Sequence, residues 1–149
     1  MLRTNGISQH RAASRSSQLL VFSVGERRLA VNTLEVGDIS QWSEPIPVAG
    51  RTPFVTAMIR LNQTVLPVFD LAAALQRAVQ GKSPLCLRVK HVLGDMVMCI
   101  DEKIPVLQTL DYSMIQTYRG TDVPADGSYV HGQEEIPILS VSKLGKGSW

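Results

Sequence analysis

From Leu19 onward the chain is built of short apolar runs broken by turn residues, a rhythm of strands rather than helices. Residues 19–24 (LLVFSV) form a β-rich run, Gly25-Glu26-Arg27 supplies a turn, and Leu29-Ala30-Val31 follows. Residues 36–42 read as a strand with one solvent face, and the cluster of Pro45, Pro47, Gly50 and Pro53 reads as a loop. Residues 55–61 and 64–69 are two further strands with only Asn62-Gln63 between them. That spacing predicts a tight hairpin, although Gln suits a positive φ poorly. Strands are expected again over 85–93, 96–101, 104–110, 128–131 and 135–139.

One segment breaks the pattern. Residues 70–79 carry Ala and Leu throughout, and Leu71, Ala74, Leu75 and Ala78 share one helical face, which is expected to turn toward the core. Asp70 is the expected N-cap, and Gly81 with Pro84 the expected stop.

The chain also repeats itself. Residues 65–71 (VLPVFDL) can be laid on residues 135–141 (EIPILSV), with Pro67 on Pro137, an offset of 70 residues. Each copy has apolar residues after the proline and then Asp or Ser as a helix cap. The repeat predicts two similar subdomains, each a small antiparallel barrel of about five strands. Pro67 and Pro137 are expected at edges or bulges, because proline cannot donate to a ladder.

Composition narrows the class. With 44% apolar and 19% charged residues, the 149-residue chain is a globular, soluble domain with enough length for a real core. The longest run without Asp, Glu, Lys or Arg is Ser16 to Gly25, well short of the roughly 20 residues a membrane-spanning helix requires. Of 15 Lys and Arg, three (Arg3, Arg11 and Arg15) fall in the first eighteen residues, which leaves 12 against 13 Asp and Glu. The basic excess is therefore local, and a nucleic-acid partner, which calls for a basic face on the folded domain, is not expected. Residues 1–17, rich in Ser and Arg, read as a disordered tail, with an organelle transit peptide as the alternative. The domain proper is expected over 18–149.

No catalytic set emerges. Gly81-Lys82-Ser83 resembles the end of a phosphate-binding loop, but it follows a helix where that motif requires a strand, and Pro84 blocks the helix to come. His10, His91 and His131 stand singly, and Cys86 and Cys99 have no metal-ligand spacing. The two cysteines are expected on strands as small buried hydrophobes. No serine sits in a nucleophile elbow. The expectation is a protein without catalytic activity, metal or cofactor.

The segment 53–71 (PFVTAMIRLNQTVLPVFDL) resembles the signature stretch of the CheW family, the coupling adaptors of bacterial chemotaxis. Leu20-Val21-Phe22-Ser23-Val24-Gly25 is similar to the family's first strand and turn, Val36-Gly37-Asp38-Ile39 to its Val-Gln-Glu-Ile stretch, and residues 129–141 more loosely to its second-half hairpin. The likeness runs from about Leu19 to Leu144. Asn62-Gln63 stands where the family carries an Arg-Gly turn, Ala57 where it carries Gly, and Arg60 where it usually has Asn. Arg60 shares a strand face with position 62 but sits about 6–7 Å along the strand from it.

The resemblance implies a mainly β fold of two five-stranded barrels around a shared core, with short helices, no activity and no cofactor. It implies a cytoplasmic adaptor whose partners are a CheA-type histidine kinase, through that kinase's similar regulatory domain, and the cytoplasmic tips of chemoreceptors. Ring-like or homo-oligomeric contacts are a further implied assembly, with no membrane insertion. Val36, Asp38, Arg60, Asn62 and Gln63 are expected on or near the partner-binding surface, beside the groove between barrels. The alternative is an interaction module of the same fold serving another signalling or assembly pathway.

Overall fold

The computed structural model describes residues 15–49 and 52–145, so all but the last residues of the basic tail lie outside the described residues. Three two-residue turns organise the chain into hairpins. Gly25-Glu26 joins β1 (Ser16–Val24) to β2 (Arg27–Asn32), with φ of 58° and 69°. Asn62-Gln63 joins β5 (Val55–Leu61) to β6 (Thr64–Phe69), and Asn62 takes the positive φ, 56°, leaving Gln63 free of it. Gly132-Gln133 joins β10 (Ala125–His131) to β11 (Glu134–Leu139), with Gly132 at 64°. Asn and Gly are the residues that tolerate this backbone region. The remaining strands are β3 (Val36–Gln41), β4 (Ile46–Pro47), β7 (Leu85–Val89), β8 (Met96–Ile100) and β9 (Val106–Asp111).

The 70-residue offset recurs in the strand pairing. Val68 of β6 pairs in parallel with Val97 of β8, and Ile138 of β11, 70 residues after Val68, pairs in parallel with Ala30 of β2. The Asp70 backbone nitrogen donates to the Phe54 carbonyl at 2.7 Å. The Ser140 nitrogen donates to the Pro124 carbonyl at 2.9 Å, again 70 residues on. The two barrels are nevertheless not the two halves of the sequence. One sheet runs β10-β11-β2-β1-β9 and the other β3-β7-β8-β6-β5-β4, so each half sends its strands into both sheets. Each sheet also contains one parallel pair, which corrects the expectation of purely antiparallel barrels. The strand that crosses over in each half is bent. Residues of β3 pair with β7, and the chain then turns so that Ile46 and Pro47 pair with β5. β9 pairs with β1, after which Gln116 exchanges two 2.8 Å backbone bonds with Ser128 of β10. These second contacts close each sheet on itself, which limits exposed edges.

Pro67 and Pro137 are not at edges. β6 lies between β8 and β5, and β11 between β10 and β2. Each parallel contact is a single register pair at the residue after the proline, so the missing N–H costs the ladder little.

Alternation along the strands sorts the apolar residues into three cores. Leu20, Phe22, Val24, Leu29 and Val31 from one sheet meet Leu87, Val89, Met96, Met98 and Ile100 from the other in a central core between barrels. Leu19, Val21, Ala30, Tyr129, Ile136 and Ile138 fill the first barrel. Ala57, Ile59, Leu66, Val68, Cys86 and Val97 fill the second.

The helix is shorter than its sequence suggests. α1 spans Leu71–Leu75 and ends at Gln76, which is in the left-handed region at φ 56°. Asp70 caps it as expected, accepting from the Ala73 nitrogen at 3.0 Å, whereas the Ser140 side chain makes no capping bond. Leu71 is buried and Ala74 and Leu75 are packed against the central core, but Ala78 lies beyond the helix and is exposed. Long-range bonds take over where the helix stops. Arg77 Nη1 donates to the Gly25 carbonyl at 2.6 Å, and the Gln80 nitrogen to Asp101 at 2.8 Å.

Candidate partner-binding site

β3 carries the first two expected site residues, and a bulge separates them. Val36 pairs with Val89 but Asp38 pairs with Arg88, which leaves Gly37 as the extra residue. Cross-strand partners share a face, so Val36 turns with Val89 toward the central core, while Asp38 turns with Arg88 to the opposite side. Without the bulge, Val36 and Asp38 would point the same way. Gly37 also lets the Arg88 stem lie across it, since a Cβ there would stand 3.1 Å from Arg88 Cγ. The Arg88 guanidinium is committed to Asp95, with Nε donating at 2.8 Å, and Asp38 remains exposed. Val36 is half-buried against the core.

The same bulge brings Ile39 onto the face of Leu87, which is fully buried in the central core, yet Ile39 is 39% exposed. On the other barrel Leu107 of β9 pairs with core residue Leu20 and is 64% exposed. Two exposed aliphatic side chains therefore flank the central core from opposite barrels, each opposite a buried core residue of the neighbouring strand. Neither was singled out from the sequence. Ile39 was hidden because a bulge cannot be read from residue types alone, and Leu107 looked like any apolar strand residue.

The other three expected residues lie together at the β5–β6 turn, separated from β3 by β7, β8 and β6 in strand order. Arg60, Asn62 and Gln63 are all exposed. Arg60 Nε donates to the Asn62 carbonyl at 3.2 Å, so the guanidinium folds over the turn and offers both Nη groups to solvent. Arg60 pairs with Val65, and Met58 with both Pro67 and Ile46. Val65 and Ile46 are 56% and 64% exposed, so the cation is set in an apolar surround.

Chemistry inside the barrels is muted. Cys86 and Cys99 face each other in register as free thiols. Burial pushes the Cys86 thiol up to about 11, with Asp38 adding to the effect and Ser40 and Arg88 opposing it. Burial, aided by Cys86, Asp70 and Asp101, pushes the Cys99 thiol up to about 12. Such thiols are poor nucleophiles at neutral pH. Among the described residues no group of three or more His, Cys, Asp or Glu is placed to hold a metal. No helix among them is long and apolar enough to cross a membrane.

Two strand-exchanged β-barrels share one core and present polar and aliphatic side chains on their outer faces. The chain belongs to the CheW-like domain family, whose sequence profile matches residues 18–146, and that family is non-catalytic. The chain is 29% identical over 76 residues to a probable chemotaxis protein CheW of Rhizobium etli. That match covers 51% of this chain and 46% of the relative, about half of each. The fold is similar to the crystal structure of the scaffolding protein TtCheW from Thermoanaerobacter tengcongensis, with a TM-score of 0.76 at 16% identity, covering 87% of this chain and 88% of that one.

Proposed function

We propose that this protein is a cytoplasmic adaptor that couples chemoreceptor tips to a CheA-type histidine kinase in bacterial chemosensory signalling. The observation that carries the reading is the pair Ile39 and Leu107, exposed aliphatic residues that each pair across the ladder with a buried residue of the central core, Leu87 and Leu20. A helical receptor tip laid between the barrels would cover both, since an amphipathic helix docks its apolar face in such a groove. Val36 and Ile39 form the β3 wall of this contact. The turn with Arg60, Asn62 and Gln63 forms a second contact, toward the kinase. The guanidinium that related proteins carry in the turn itself is here supplied by Arg60, folded onto the Asn62 carbonyl.

The substitution of Asn62-Gln63 for an Arg-Gly turn favours a second reading, in which the same module serves a pathway other than chemotaxis. One experiment separates them. The full chain is used as bait in native lysate and its partners are identified by mass spectrometry. Recovery of a CheA-type kinase or chemoreceptors supports the first reading. A reproducible set of other partners, with neither of these, overturns it in favour of the second.

A further inference from the structure

The β7–β8 connection contains the only described histidine that is buried, His91, 9% exposed, and both of its ring nitrogens are in use. The Leu93 backbone nitrogen lies 3.1 Å from Nδ1, and Nε2 lies 3.1 Å from the Leu144 carbonyl oxygen. A backbone N–H can only donate and a carbonyl can only accept. The two bonds coexist in one protonation state alone: neutral imidazole with its hydrogen on Nε2. In the imidazolium, Nδ1–H and the Leu93 N–H would be two donors directed at each other.

These bonds join parts of the chain that are distant in sequence. His91 and Leu144 are 53 residues apart, and Leu144 is itself buried at 1% exposure after the turn Val141–Lys143, whose C-cap it forms. The two segments form walls of one cleft of about 440 Å³. Leu93, Met96 and Leu144 line it together with Val65, Leu66 and Pro67 of β6. The cleft supplies one ionisable side chain besides His91, Asp95, which is bonded to Arg88. Among its described residues β6 supplies none, and on the C-terminal turn Lys143 is exposed. Across the cleft, then, no carboxylate free of a partner is presented to an imidazolium.

We propose that His91 is a pH-operated latch: it holds the 90–95 loop to the C-terminal turn as a neutral imidazole and releases both on protonation. Protonation adds a hydrogen to the one ring nitrogen that must accept, so acidification is the physical trigger. Release frees Leu93, already 88% exposed, and Leu144 from their common tether, and so opens the apolar cleft between them. This inference does not rest on the adaptor reading, since it concerns a tether within the chain.

The test is solution NMR on the full chain. At pH 8 the imidazole nitrogen shifts should report hydrogen on Nε2 and a bare Nδ1. Between pH 8 and pH 5, amide-exchange protection at Leu93 and Leu144, whose N–H groups bond to His91 Nδ1 and the Val141 carbonyl, should fall by about tenfold or more after correction for intrinsic rates. Protection in β1 and β8 should be unchanged. In His91→Gln, which does not titrate, the protection of Leu93 should be independent of pH. Hydrogen on Nδ1 at pH 8 in the unsubstituted protein, or equal protection of Leu93 at pH 5 and pH 8, would overturn the proposal without recourse to any variant.

Discussion

The Oδ1 atom of Asp101 lies 2.8 Å from the backbone nitrogen of Gly25, 76 residues earlier in the chain. The same carboxylate accepts from the Glu26 and Gln80 nitrogens, also at 2.8 Å, and Asp101 is only 3% exposed. One buried side chain thus ties the β1–β2 turn, the segment after α1 and the end of β8 together. A buried carboxylate is tolerable only with such donors, and these donors are backbone groups that otherwise lack partners.

Asp101→Ala should therefore be among the most destabilising single substitutions, costing about 3 kcal/mol as one buried and two part-buried N–H groups lose their shared acceptor. Urea unfolding should show the midpoint move without a change of slope, and the melting temperature should fall by about 6–12 °C. Gly25→Ala should act on the same joint. Gly25 holds a positive φ of 58°, and a Cβ would stand 2.6 Å from the Cβ of Arg77.

Arg60→Glu and Leu107→Asp test the two proposed contacts separately. Both residues are exposed, so thermal stability should stay within about 0.5 kcal/mol of the parent. Arg60→Glu should weaken binding to the kinase regulatory domain at least tenfold, and Leu107→Asp should do the same for a receptor tip, both read by titration calorimetry. Unchanged affinity would remove the substituted residue from its interface.

Loss of global stability in acid should be set largely by an ion pair at the first barrel. Arg27 Nη1 lies 2.6 Å from Asp122 Oδ2, Arg27 Nη2 donates to the Tyr118 hydroxyl at 2.8 Å, and that hydroxyl donates to Asp122 Oδ1 at 2.5 Å. Burial alone would raise the Asp122 carboxyl, but the Tyr118 hydrogen bond and the Arg27 charge outweigh it and hold the carboxyl below its ordinary range. A carboxylate depressed in the folded state adds stability that is complete above its unfolded value and lost as pH falls through the folded value. Stability should fall from about pH 4 downward, and Asp122→Asn should flatten that limb in urea unfolding followed against pH.

The thiols predict the opposite limb. With Cys86 at about 11 and Cys99 at about 12, both remain protonated in the folded protein where an unfolded thiol, near 9, already ionises. Stability should therefore decline as pH rises above about 9 toward those values. At pH 8, Ellman's reagent should react slowly with the native protein and promptly with both thiols on unfolding.

What residue order determined by itself is local. Apolar runs and two-residue turns set the hairpins, because side-chain alternation and the φ tolerance of Gly and Asn act over a few neighbours. Asp70 as a cap, and the 70-residue repeat, follow from the same short-range chemistry. The signature stretch at 53–71 likewise marked the family, since hairpin and cap lie in one contiguous segment. Pairing partners were decided only in three dimensions. β3 and β9 cross between halves because each completes its ladder on a strand more than forty residues away, a choice that no local pattern encodes. The helix ends at Gln76 rather than near Gly81 because Gly25 and Asp101 claim Arg77 and Gln80. The Gly37 bulge turns Val36 and Asp38 to opposite faces and moves Ile39 beside the core, and Arg60 reaches the turn through the Asn62 carbonyl. The outer faces were therefore the least determined by sequence, because one extra residue in a strand reverses every side chain beyond it.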